Sequence, residues 1–416
     1  MRPAGRLACT MALALGALAG LAQAETTPYY VGASQTYSRE SNLLRLANGT
    51  DAPAGYSRGD TVSATALLAG FDQPFGRQRG YANVSLRSTR YAENARFNNQ
   101  GYSATGGLDW STVSEISGSL SASASRALST FNLQEVGLLS QRNLESTQTL
   151  DSAVRMGIGA QWAAEVSAGR RKVGNSIDQP SVQSREFSQD TAALGLRWRP
   201  SGMSNFGLFG RDTRGRYPKF RSTGAGFEAD RFQRQDLDLT ASLAPSGLSS
   251  YDLRLTWGKT AYDLNEQRDF SGLTGAVGWA WRPSGKLRTD LRLSRDVGQD
   301  SYAVTVFNTP GTADYSRVND TVRLRVDYDL SSKIAFSITL TEVQRELVRT
   351  IDNPFVPLNA SGRERLSLLG LGARWAPSRG LLFGCDVGTE RRRGDGPLVV
   401  NLDANTTSCY AQITLQ

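Results

Sequence analysis

The chain repeats a short phrase, Trp198-Arg199-Pro200-Ser201-Gly202, and this repeat constrains the fold more than any other feature. Further copies are Trp281-Arg282-Pro283-Ser284-Gly285, Trp375-Ala376-Pro377-Ser378 and, more weakly, Leu243-Ala244-Pro245-Ser246-Gly247. Each copy sits between two runs in which apolar and polar residues alternate. Period two is the mark of a strand with two different faces, because successive side chains point to opposite sides of a sheet. Pro fixes φ and Gly then permits φ > 0, so each copy is expected to be a tight strand-to-strand turn. Trp beside such a turn is an amphipathic ring of the kind that settles where a membrane meets water.

The clearest strand interleaves Val322, Leu324, Val326, Tyr328 and Leu330 with Arg323, Arg325, Asp327 and Asp329. Leu237, Leu239, Ala241 and Leu243 alternate in the same way with Asp236, Asp238, Thr240 and Ser242. A soluble sandwich could carry one such run, with its apolar face packed on a second sheet. What separates the two architectures is rhythm. Short turns are predicted near Pro74, Ser111, Ala163, Pro200, Pro245, Pro283, Ser331 and Ser378. Between them lie longer polar stretches, such as Gly215 to Arg231, Gln299 to Asn319 and Asp352 to Arg363, expected to be loops on the other rim. Short turns on one rim and long loops on the other describe an all-β, transmembrane antiparallel barrel of the outer-membrane type. Eight turns join sixteen strands, and one more strand at each end makes eighteen, with sixteen as the alternative count. Both termini then fall on the short-turn, periplasmic rim. Six of the seven Trp, namely Trp110, Trp162, Trp198, Trp279, Trp281 and Trp375, lie near predicted turns, as an aromatic girdle requires.

The N-terminus has the form of an export signal. Arg2 and Arg6 precede an apolar run ending near Leu21, and Ala22-Gln23-Ala24 is a small-x-small cleavage site, so residues 1–24 are expected to be removed and 25–416 to form the barrel. Beyond Glu25 no stretch approaches the roughly 20 apolar residues of a spanning helix. Mean hydropathy is negative, which a barrel tolerates because only alternate residues face lipid. Loss of Arg2 and Arg6 lowers the formal charge from +8 to +6.

The chain contains no His. That excludes Ser-His and Cys-His catalysis and most zinc sites, each of which needs an imidazole. Asp327 and Asp329 are neighbours of Arg323 and Arg325, which keep both carboxylates ionised and unsuited to general-acid work. The expectation is a non-enzyme without cofactor or metal, and the dispersed basic residues form no nucleic-acid stripe. If the apolar parity faces lipid, the lumen receives Arg197, Asp236, Asp238, Asp252, Arg254, Arg288, Asp290, Arg292, Arg323, Arg325, Asp327, Asp329, Arg374 and Asp386. Such residues either satisfy one another across strands or guide a polar solute. Cys385 and Cys409 share the lipid-facing parity at similar height, so a disulfide is geometrically allowed. The alternative is two small apolar side chains facing lipid.

Three stretches carry a family resemblance. They are Tyr29-Tyr30-Val31-Gly32-Ala33 followed by Ser41-Asn42-Leu43-Leu44-Arg45-Leu46, the segment Asp327-Tyr328-Asp329-Leu330-Ser331-Ser332, and the closing Ser408-Cys409-Tyr410-Ala411-Gln412-Ile413-Thr414-Leu415-Gln416. Together they resemble the EpsL-type outer-membrane proteins, β-barrel porins encoded with exopolysaccharide biosynthesis genes in Gram-negative bacteria that carry an exosortase. The resemblance implies a bacterial outer-membrane location, a polysaccharide chain as cargo and periplasmic export components as partners, with outer-membrane lipid around the barrel. It brings no catalytic residues. A general or solute-specific diffusion porin and a structural or adhesion barrel are the competing expectations.

Overall fold

The computed structural model describes residues 27–129, 142–157, 159–223, 226–264, 268–306, 309–352 and 358–416. The predicted signal segment, with Cys9, lies outside the described residues. Eighteen strands form one antiparallel sheet that closes on itself. The first nine are β1 (Tyr29–Glu40), β2 (Asp60–Phe75), β3 (Gln78–Tyr91), β4 (Asn99–Ser111), β5 (Ile116–Leu128), β6 (Leu144–Met156), β7 (Trp162–Asn175), β8 (Phe187–Ser201) and β9 (Ser204–Thr223). The second nine are β10 (Gly226–Ser246), β11 (Ser249–Tyr262), β12 (Phe270–Trp281), β13 (Leu287–Val306), β14 (Thr309–Asp329), β15 (Ile334–Asp352), β16 (Leu358–Ser378), β17 (Leu381–Asp395) and β18 (Leu402–Leu415). Every strand pairs with its neighbours in sequence, and β1 pairs with β18 from Val31↔Leu415 to Glu40↔Thr406 to complete the barrel.

The alternation of the sequence becomes two faces. On β10, Leu237 and Leu239 are 50% and 45% exposed whereas Asp236 and Asp238 between them are 7% and 2% exposed. The aliphatic parity therefore forms the outer surface and the polar parity faces in. A closed barrel satisfies every backbone group between strands, which lets it cross hydrocarbon. With that apolar exterior and even strand number, the protein is a bacterial outer-membrane barrel.

All eight predicted turns join strands, but the repeated phrase turns by a different device from the one expected. Gly202, Gly247 and Gly285 are not among the positive-φ glycines; of the described glycines in the eight short turns, only Gly76 (φ +64°) and Gly157 (φ +90°) are. The serine hydroxyl makes the turn instead. Ser201 Oγ accepts from the Met203 amide at 3.3 Å, Ser246 Oγ from Leu248 and Ser249 at 3.3 and 3.2 Å, and Ser284 Oγ from Lys286 and Leu287 at 3.3 Å each. Pro200, Pro245 and Pro377, with no N–H to give the ladder, each sit in a bulge, whereas Pro283 lies beyond the end of β12. The register slips by one residue between Trp198 and Ser201, Leu243 and Ser246, and Trp375 and Ser378. The third turn falls between Met156, the end of β6, and Trp162, so Trp162 opens β7 rather than belonging to the turn. The rings above these turns stack on one another on the outer face, Trp162 with Trp198 at 6.0 Å and Trp375 with Phe383 at 5.4 Å between centroids.

The three long polar stretches differ from expectation. Strands β9 and β10 run through Gly215–Arg231, β13 and β14 through most of Gln299–Asn319, and β15 and β16 take both ends of Asp352–Arg363. These strands reach 19 to 21 residues, where about 9–11 suffice to cross the bilayer. Part of the reason is a small core above the membrane. Buried Arg268 lies over Tyr262 at 4.1 Å and Tyr217 at 4.9 Å and pairs with buried Asp230 at 3.3 Å, with Phe220 beneath. Spread along the sequence, these residues have no period and look like a loop.

Candidate functional site: the lumen

The inner wall divides into three regions. The first is a locked charge network on β6 to β11. Glu165 of β7 accepts from Arg155 Nε and Arg197 Nε, both at 2.8 Å, and the Arg197 guanidinium also stacks on Phe209 at 5.0 Å. A Cβ on Gly195 or Gly207 would collide with the Phe209 ring, so two glycines make room for this aromatic inside the barrel. On β10, Asp238 accepts from Arg254 Nη2 at 3.0 Å, from Arg254 Nε at 3.2 Å, and from Arg211 and Thr256. Asp236 accepts two bonds from Arg234 Nε, at 2.8 and 3.0 Å. Asp252 accepts from Ser242 Oγ at 2.7 Å. Here Arg197, Asp236, Asp238, Asp252 and Arg254 are parts of the wall, held in one geometry by their partners.

The second region is an open cavity of about 460 Å³ near the periplasmic mouth. Six of the fourteen predicted residues meet there: Arg288 of β13, Arg325, Asp327 and Asp329 of β14, Arg374 of β16 and Asp386 of β17, joined by Lys286 and Tyr410. Arg325 makes a two-pronged bond to Asp327, at 2.8 and 2.9 Å, and Arg374 approaches Asp329 only to 4.0 Å. Arg288 faces Asp327 across the strands but shares it with Arg325. Above the cavity, Arg292 and Arg323 stand directly opposite each other, with no carboxylate partner among the described residues, and Asp290 is likewise without an ion pair there. Like charges in register repel unless an anion or water lies between them. This patch keeps cationic capacity free.

The third region is a hydroxyl wall that sequence reasoning passed over. The inward face of β5 carries Ser117, Ser119, Ser121, Ser123 and Ser125. In register beside them are Ser103 and Thr105 of β4 and Thr147 and Thr149 of β6. The run Ser-x-Ser-x-Ser was legible in the sequence, but serines alternating with Ala, Gly and Leu have low contrast in hydropathy.

At the extracellular end the segment 41–59 folds onto the inner wall. Leu44 and Leu46 are buried with Phe97 against Tyr91 and Leu128, and the Asn42 side chain bonds both the amide and the carbonyl of Leu46. Arg45 at its tip pairs with Glu40 of β1 and with Glu390 of β17, each at 2.9 Å. Burial works against the Arg45 charge, but the Glu390 and Glu40 carboxylates more than offset it and raise its pKa above the ordinary arginine value. A second inward segment holds the short helix α1 (Pro180–Gln183), which touches β7, β9 and, across the wall, β13. The outer mouth is thus narrowed from two sides.

Cys385 and Cys409 are directly opposed in the β17–β18 ladder with Cα atoms 4.1 Å apart. They form a disulfide on the outer face. Among the described residues no three His, Cys, Asp or Glu side chains gather as a metal site would need.

A closed barrel with a polar, water-accessible interior and an apolar exterior defines a protein of the outer-membrane channel class. No protein-family model matches the chain, and no curated protein matches its sequence. Among solved structures it is similar to the outer membrane protein OpdK from Pseudomonas aeruginosa, at 13% identity and a TM-score of 0.46 over 93% of this chain and 98% of that one. It is similar also to OccK9 (OpdG) from Pseudomonas aeruginosa, at 10% identity and 0.46 over 93% and 98%. A third is the siderophore receptor PiuA from Acinetobacter baumannii, at 7% identity and 0.47 over 95% and 82%.

Proposed function

We propose that this barrel is an outer-membrane channel through which a polysaccharide chain made inside the cell leaves it. The observation that carries the reading is the hydroxyl wall of β4 to β6. A sugar polymer presents hydroxyls all along its length and gives up hydrogen bonds to water as it enters a pore. Serine and threonine hydroxyls donate and accept alike, so each can replace a lost water at nearly the same free energy. Evenly repeated, equivalent contacts hold no single position strongly, and a chain can slide along them. The free arginines near the periplasmic mouth suit a polymer that carries carboxylates. The barrel supplies a path and no drive, and the push comes from synthesis or a periplasmic partner. The inward segment around Arg45 favours a second reading, a solute-specific diffusion porin in which a narrowed mouth selects small molecules.

Deletion of the gene separates them. Under the first reading secreted polymer disappears while cell-associated polymer accumulates; unchanged secretion refutes it. Bilayer conductance blocked by short oligosaccharides, in a strain whose polymer secretion is intact, establishes the second.

A further inference from the structure

The outward, lipid-facing parity of β7 to β10 changes character part-way up. Its lower portion carries Leu194, Leu196, Leu208, Leu237 and Leu239, all well exposed. Above them on the same parity come Arg170 and Lys172 of β7, Arg214 and Arg216 of β9, and Arg231 of β10, all exposed. Trp162 marks the periplasmic girdle at the start of β7, and Arg170 and Lys172 lie eight and ten residues further along the same strand. At about 3.3 Å per residue and a strand tilt of about 40°, they stand roughly 20 and 25 Å above the girdle. The apolar band of such barrels is about 25 Å tall. The basic side chains therefore begin at the level of the outer-leaflet headgroups.

Their charge is only partly met by protein. Asp190 takes Arg170 at 3.7 Å, and Asp212 takes Arg214 at 3.0 Å together with Gln233 at 2.6 Å. Lys172, Arg216 and Arg231 have no carboxylate partner among the described residues. Arg216 and Arg231 are also direct register partners, an arrangement that costs stability unless an anion lies between them. On the outer face of β13 to β16, by contrast, basic residues toward the upper ends of the strands meet an acid on the neighbouring strand. Arg295 pairs with Asp320 at 3.3 Å and Arg365 with Glu342 at 2.7 Å.

We infer that this face of β7 to β10 binds a phosphorylated glycolipid of the outer leaflet, its sugar phosphates held by Lys172, Arg216 and Arg231 and its acyl chains lying on the leucines below. Charge complementarity selects the occupant: a cluster in which cations outnumber acids, directly above exposed hydrocarbon-facing side chains, matches a molecule with phosphates above several acyl chains. Guanidinium pairs are suited to a phosphate, which they can bridge through parallel N–H···O bonds.

The test uses the whole folded barrel in detergent, with bis-phosphorylated lipid A and its dephosphorylated form as probes, and binding followed by native mass spectrometry. The wild-type protein is expected to hold the phosphorylated probe more tightly by on the order of tenfold or more, since each basic side chain at an anionic surface contributes about fivefold. Lys172→Gln with Arg216→Gln and Arg231→Gln should abolish that difference, and Arg295→Gln with Arg365→Gln should preserve it. Equal binding of both probes by the wild-type barrel overturns the inference without any variant needing to fold. Equal losses in the two variants overturn it too, because the attraction would then be a general surface effect.

Discussion

Replacing Asp238 with Ala tests whether the charge network of β10 is structure or machinery. Its carboxylate is 2% exposed and accepts two bonds from Arg254, one from Arg211 and one from Thr256. Removing one partner of a buried ion pair costs about 3–5 kcal/mol, because the other charge stays behind without compensation. Arg254 is half in water and can rehydrate, whereas Arg211 is only 27% exposed, so the lower end, about 3 kcal/mol, applies. That is a fall of roughly a hundredfold in the ratio of folded to unfolded protein. Reversible denaturant unfolding in lipid vesicles, followed by tryptophan fluorescence, measures it. Asp252→Ala is the comparison, since Asp252 accepts one bond from Ser242 and its loss should cost about 1 kcal/mol. The double replacement of Asp238 and Arg254 should cost less than the sum of the two single ones. Equal losses from Asp238→Ala and Asp252→Ala would refute the reasoning, as would an additive double replacement.

Arg45→Gln removes the ion pairs to Glu40 and Glu390 and should shift the docked population of segment 41–59 by roughly tenfold, one net charge-assisted bond's worth; single-channel recordings should show a larger conductance or new flicker, and an unchanged trace would place the narrowing elsewhere. Cys385→Ser opens a loop whose ends are 24 residues apart, worth about 3–4 kcal/mol on the chain-entropy account. Its unfolding midpoint should match that of the reduced wild-type barrel, and a further difference between the two would contradict that account. Pro283→Gly with Ser284→Ala removes the φ-fixing ring and the hydroxyl acceptor of one turn. Barrel yield, read as the heat-modifiable band on a gel, should fall while ion selectivity of the folded fraction is unchanged, and altered selectivity at normal yield would be the opposite result.

The strand number, the direction of the chain and all eight short turns were legible because each rests on local chemistry: alternation, a proline, a serine and a flanking Trp. The turn mechanism was misassigned because Gly is the common agent of tight turns, yet a hydroxyl two residues before an amide does the same work, as at Ser246. The long hairpins were misread because Tyr217, Asp230, Tyr262 and Arg268 come together only in space. Within the lumen the sequence placed charges on one parity but could not say which would bind each other. Asp238 is enclosed because Arg211 arrives from β9 and Arg254 from β11, and the small and polar neighbours on β9 hide its alternation. Arg288 and Arg374 differ from it only in what the adjacent strands offer.

In a ring of eighteen strands, β5 and β14 are nine apart and therefore face each other across the bore. One bears five serines and the other Arg323, Arg325, Asp327 and Asp329. The field inside is consequently directed across the pore as well as along it. If the barrel conducts as proposed, a molecule with one ionised edge and one hydroxylated edge would feel a torque about the pore axis and travel in one rotational setting. Molecules of equal width would then be sorted by the arrangement of charge around them.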